Sequence, residues 1–176
     1  MTKSKFNTKQ LVLAALCVAL GVVLPVAFHS IPNAGSVLLP MHIPVLLCGL
    51  VCGPVYGLLS GILTPLLSSM ITGMPPMAYL PSMLCELAAY GLVSGVLWHK
   101  VKHTVPMMYA SLVTAMVAGR LVWGAVRFVL AGLTGSSFPF SAFLSGALLT
   151  AVPGIVAQLV LIPLILVALQ KAKVMD

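Results

Sequence analysis

The chain is a succession of apolar runs, and inside those runs only Glu86, Arg120 and Arg127 carry a fixed charge. A membrane-spanning helix needs about 20 predominantly apolar residues. Split at turn signals, the runs are 10–28, 37–52, 55–71, 81–98, 107–131 and 141–169. The breaks are Asn33-Ala34-Gly35-Ser36, Gly53-Pro54, Thr72-Gly73-Met74-Pro75-Pro76, the Lys100–Thr104 stretch and Gly135-Ser136-Ser137. Six spans use about 120 residues, which in a chain of 176 leaves short loops and no extramembrane catalytic domain. Only 6% of the residues are charged and 61% are apolar. A soluble domain carries roughly a quarter charged residues, so a soluble enzyme is excluded. The expected fold is an all-α integral membrane protein, one domain over 1–176 with six transmembrane helices.

The region 37–72 holds Pro40, Pro44, Pro54 and Pro65 and would also read as one long kinked span. Charge decides. The seven lysines form three clusters, Lys3, Lys5 and Lys9, then Lys100 and Lys102, then Lys171 and Lys173. With six spans all of them fall on one side, and the loops 29–36, 72–80 and 132–140 contain no Lys or Arg. The positive-inside rule then places both termini in the cytoplasm. The net charge of +7 is an orientation signal, not a nucleic-acid footprint, and no nucleic-acid partner is expected. No small-residue cleavage site follows the first run, which is expected to stay as a helix.

Gly49, Gly53, Gly57 and Gly61 recur every four residues, and Gly91 and Gly95 repeat the spacing. Small residues four apart let membrane helices approach closely. Cys17, Cys48, Cys52 and Cys85 all lie in apolar runs, as buried thiols do, and suggest no disulfide framework. The Cys48/Cys52 pair lacks spaced partners to complete a soft-metal site, so no metal or other cofactor is expected. Nothing resembles a nucleophile motif, a metalloprotease helix or a phosphate-binding glycine loop. The chain reads as a non-enzyme that does not hydrolyse ATP through a loop of that kind.

Each membrane charge costs about 2.5–3.5 kcal/mol at a helix centre, so the default inference is a polar interior with a function. Arg120 and Arg127 are seven apart on one face of the fifth helix, about 10 Å along its axis, with Trp123 on the same face. Glu86 lies about 7 Å in from Pro81, with Tyr90 one turn deeper and Arg127 at a similar depth to Glu86. One reading is a Glu86–Arg127 ion pair that ties two helices together and leaves Arg120 without an acidic partner. The other is an outward-facing site in which Glu86, Tyr90, Arg120, Trp123 and Arg127 hold a small polar molecule by charged hydrogen bonds and stacking.

The run Leu39-Pro40-Met41-His42-Ile43-Pro44-Val45-Leu46 has a familiar form. So do Gly53-Pro54-Val55-Tyr56-Gly57-Leu58-Leu59-Ser60-Gly61, Thr64-Pro65, and the stretch from Met74-Pro75-Pro76 through Glu86 to Gly95. Together they resemble the substrate-binding S components of energy-coupling factor (ECF) vitamin importers, most specifically over 37–98. The resemblance implies a multi-pass subunit of a bacterial plasma membrane that binds a micronutrient from outside. It further implies docking on a coupling module, a transmembrane T component with two ATPases, through Ala-x-x-x-Ala on the first helix. Ala15 and Ala19 fit that pattern. Nickel and cobalt S components begin with Met-His-Ile-Pro and use the terminal amine as a ligand. Here Met41-His42-Ile43-Pro44 is internal, and the metal role does not carry over. His42 is expected near the pocket from the second helix, and Asn33 and Tyr79 from the outer loops. Two arginines against one glutamate favour a carboxylate or phosphate ligand, with pantothenate as the leading substrate. Hydroxymethylpyrimidine, pyridoxine or a queuosine precursor is the alternative, and a stand-alone carrier or channel is the competing class.

Overall fold

The computed structural model describes residues 8–27, 37–101, 103–136, 139–146 and 150–172. Their helices are α1 (Thr8–Ala27), α2 (His42–Cys52), α3 (Pro54–Thr72), α4 (Leu80–Lys100), α5 (Val105–Thr134), α6 (Phe140–Leu144) and α7 (Val152–Lys171). Proline sits in the first turn of α3, α4, α5 and α7, where a missing N–H leaves no hydrogen bond unmade. Gly73 and Gly135 close α3 and α5 in the left-handed conformation, donating their N–H groups to the Ser69 and Ala131 carbonyls.

Five of these helices are long and apolar enough to cross a membrane, and α2 is a shorter apolar helix. Its 11 residues make about 16 Å, half of a hydrocarbon core of about 30 Å. Helix was expected from residue 37. The chain instead turns at Leu39-Pro40-Met41, where the His42 N–H donates to the Leu39 carbonyl at 3.0 Å. Leu39 has φ +49°, and a residue before proline is disfavoured in the right-handed helical region. Eight residues of α2 are buried, so other helices enclose it.

The last expected span, 141–169, is also corrected. A continuous helix over it would carry Pro153 in its interior, where proline removes a hydrogen bond and clashes with the preceding turn. The run is divided instead into α6 and α7, and Pro153 stands in the first turn of the second piece.

α4 packs against α2, α3 and α5, and the glycines explain how. A methyl group at Gly57 would strike the Gly91 carbonyl, and one at Gly91 would strike the Gly57 carbonyl. Gly61 abuts the Leu87 backbone, and Gly95 abuts Pro54 at 2.6 Å from where a Cβ would stand. The four-residue glycine spacing is therefore a packing seam between α3 and α4. Gly53, with φ +96°, makes the hinge between α2 and α3 close to the His99 ring. At the other end of the bundle Gly154 of α7 lies against Val37 and Leu38, so α7 and α2 start side by side.

Replacing Gly91 by Leu is expected to cost at least about 3 kcal/mol, because the atoms it meets are backbone and cannot rotate away. Gly132 of α5 has open space around it. There Gly132→Ala should be neutral or stabilise by up to about 1 kcal/mol through helix propensity. Melting of the two variants in detergent checks both signs.

Candidate functional site

Along α4 one face is buried at Ser82, Glu86, Leu87, Tyr90, Gly91, Ser94, Gly95 and Trp98, the three-to-four-residue rhythm of a helix set against neighbours. Glu86 is six residues past Leu80, about 9 Å into the bundle, and only 2% exposed. Arg120 of α5 meets it, with Nη1 at 2.9 Å from Glu86 Oε1. His42, the first residue of α2 and 1% exposed, places Nε2 3.5 Å from the same oxygen. The His42 ring stands edge-on to Tyr90, centroids 5.2 Å apart at 70°. Tyr90 in turn lies on Gly119, where a Cβ would be 2.9 Å from the ring. Three helices thus converge on one carboxylate.

That contact sets the register between α4 and α5. Gly119 is level with Tyr90, so Arg120 is about one turn from Glu86, and Arg127 is about 10 Å further along. The Arg127 guanidinium accordingly lies over the Tyr79 ring, 4.6 Å from its centroid. The ion pair considered between Glu86 and Arg127 is replaced by Glu86 with Arg120. Tyr79 is the residue before α4, and its carbonyl accepts from Ser82 Oγ at 2.8 Å. The loop ahead of it is pinned to α3 by Ser68 Oγ on the Met74 carbonyl and Ser69 Oγ on the Pro75 carbonyl.

The other expected site residues fall elsewhere. Trp123 stacks on Phe143 of α6, centroids 6.1 Å apart, and Gly124 beside it makes room for the Phe143 ring. Leu121, Gly124, Ala125, Phe128, Phe140 and Phe143 line a groove between α5 and α6 that carries no polar side chain to orient a vitamin. Asn33 lies outside the described residues. Ala15 and Ala19 are exposed on α1, whereas Ala14 is buried beside Cys17, Cys48, Cys52 and Tyr56. Among the described residues all four thiols are free, and no group of three His, Cys, Asp or Glu could hold a metal ion. Gln158 of α7, a buried polar residue that escaped the sequence reading, is 1% exposed in a helix whose other polar side chains, Gln170 and Lys171, stand at its end. Its amide adds no charge, so nothing but its isolation among apolar neighbours marks it.

The charged cluster is paired but not saturated. A guanidinium has five N–H donors, and among the described residues Arg120 Nε and Nη2 have no hydrogen-bond partner. His42 Nδ1 is in the same condition. Each buried polar group left this way costs about 1–3 kcal/mol. A small polar molecule that completes these bonds recovers that free energy, which suits the cluster to ligand binding.

The family model for the substrate-specific component of ECF transporters matches residues 9–168, nearly the whole chain. The chain belongs to that family. It is a multi-pass membrane subunit that confers substrate specificity on an ECF transporter, and such subunits bind substrate and are not enzymes. No curated protein and no solved structure gave a match.

Removing one member of a buried ion pair is more damaging than removing both. Arg120→Ala alone is expected to lower stability by about 3–5 kcal/mol, while Glu86→Leu with Arg120→Met should restore most of it. Thermal unfolding of the two variants beside the wild type measures the difference.

Proposed function

We propose that the protein captures a water-soluble vitamin or related micronutrient at the outer face of a bacterial plasma membrane and delivers it to an ECF coupling module of one T component and two ATPases. The observation that carries the capture step is the Glu86, Arg120 and His42 cluster, buried among helices with hydrogen-bonding capacity to spare. A membrane protein held together by packing alone has no need of it. Both termini are cytoplasmic in this proposal, so the site opens outward from the end of the bundle where α4 begins. Tyr79, half exposed, and Arg127 stand nearer that end.

Pantothenate remains the leading substrate. Its carboxylate suits Arg127 at the rim, and its hydroxyl and amide groups suit the deeper cluster. One observation favours the second reading, a neutral ring such as hydroxymethylpyrimidine or pyridoxine, or a queuosine precursor. Arg120 is engaged with Glu86, so the charges at the deep end cancel and leave hydrogen-bonding groups without net charge. A thermal-shift panel of these ligands in detergent tests the set. A ligand present at 100 times its Kd stabilises the folded state by about 2.7 kcal/mol. Pantothenate should lose affinity by roughly tenfold or more in Arg127→Ala, since a charge-assisted hydrogen bond contributes about 1.5–3 kcal/mol. An unchanged affinity would remove Arg127 from the site.

Docking is assigned to α1. Only 11% of its apolar window is buried, against 44% for α4, and its small residues Ala15 and Ala19 face outward. Ala15→Trp with Ala19→Trp is expected to abolish co-purification with the coupling module while ligand binding stays as in the wild type. A stand-alone carrier or channel would show no such co-purification in either form.

A further inference from the structure

Gln158 has an environment that the bilayer does not explain. It is 1% exposed, and among the described residues neither Oε1 nor Nε2 has a hydrogen-bond partner. Its face of α7 is otherwise Gly154, Ile162 and Leu166, all buried. These residues are spaced four apart, and α7 uses that side to pack on α2 and α5.

The depth of the amide follows from the backbone. Gly154 of α7 lies against Val37 and Leu38. Four residues further along each segment stand Gln158 and His42. The Leu39-Pro40-Met41 turn brings the His42 N–H back to the Leu39 carbonyl at 3.0 Å, so His42 starts α2 close to that shared contact, and Gln158 lies one helical turn, about 6 Å, in from it along α7. His42 borders Glu86 and Tyr90, and Arg120 reaches the same carboxylate from α5. α7 packs against both the helix that carries His42 and the helix that carries Arg120.

We infer that Gln158 is a ligand-binding residue of the site proposed above, and that its amide selects for a substrate edge with a hydrogen-bond donor beside an acceptor. A carboxamide offers one of each in a fixed plane. Glutamine pairs in this way with the amino group and ring nitrogen of adenine. An amino group next to a ring nitrogen, or an amide, is the chemistry it matches. A bare carboxylate or phosphate satisfies only its donor. Gln158 thereby adds a neutral recognition element to the charged one at Glu86 and Arg120.

This inference rests on the vitamin-binding reading, and the test separates the two. Gln158→Met keeps the side chain's length and volume and removes the amide. The full-length variant and the wild type are melted in detergent without ligand, then with 4-amino-5-hydroxymethyl-2-methylpyrimidine and with pantothenate as probes. The inference expects a ligand-free melting temperature that is unchanged or higher, because no internal bond is lost. It also expects affinity for the probe that shifts the wild type to fall roughly 10- to 100-fold. A fall of several degrees without ligand would mean that the amide holds the fold together and would overturn the assignment. So would an unchanged affinity. Silence of the wild type toward both probes would count against the substrate reading, while the ligand-free comparison tests the amide on its own.

Discussion

The ion pair between Glu86 and Arg120, 2.9 Å long and almost entirely removed from solvent, is the contact to which the rest of the bundle is fitted. Either partner alone at that depth is costly. Each must meet the other, which fixes how far α5 slides along α4. Gly119 under Tyr90 fixes the same register from the apolar side. His42 then closes the group from the start of α2. In the proposed site, recognition chemistry and helix assembly are one set of contacts, and a change at Glu86 would touch both.

The glycine seam is what makes the convergence possible. With Gly57 and Gly91 backbone against backbone, α3 and α4 run closer than side chains would permit. That proximity lets the short α2 lie in contact with both, at a depth where its first residue is level with the carboxylate. Close packing of this kind provides van der Waals contact where lipid offers no hydrophobic driving force between helices.

Much of this was legible in the sequence. The apolar runs gave the number and order of the segments, because hydropathy over 20 residues is a strong signal. The glycine spacing gave the seam. Charge in an apolar run gave Glu86, Arg120 and Arg127 as residues of interest. What stayed hidden was lateral: a helix pattern says which face a residue occupies and nothing of how far a neighbour slides past it. Depth counted from the helix ends matched Arg127 to Glu86. The Tyr90–Gly119 contact shifts the register by about one turn, so Glu86 pairs with Arg120, and Trp123 goes with α6. The break at Leu39-Pro40 was overlooked because the residues around it are as apolar as a helix would be. Gln158 was missed because a neutral amide leaves hydropathy nearly unmoved.

The exposure of α1 has a thermodynamic consequence. Its outer face is as apolar as the acyl chains around it, so a partner that settles there displaces lipid and not water. Association through such a surface lacks the large negative heat-capacity change that accompanies apolar burial from an aqueous phase. Fit between small side chains decides its strength. The two proteins can also separate without presenting any greasy surface to water, which permits release as readily as capture.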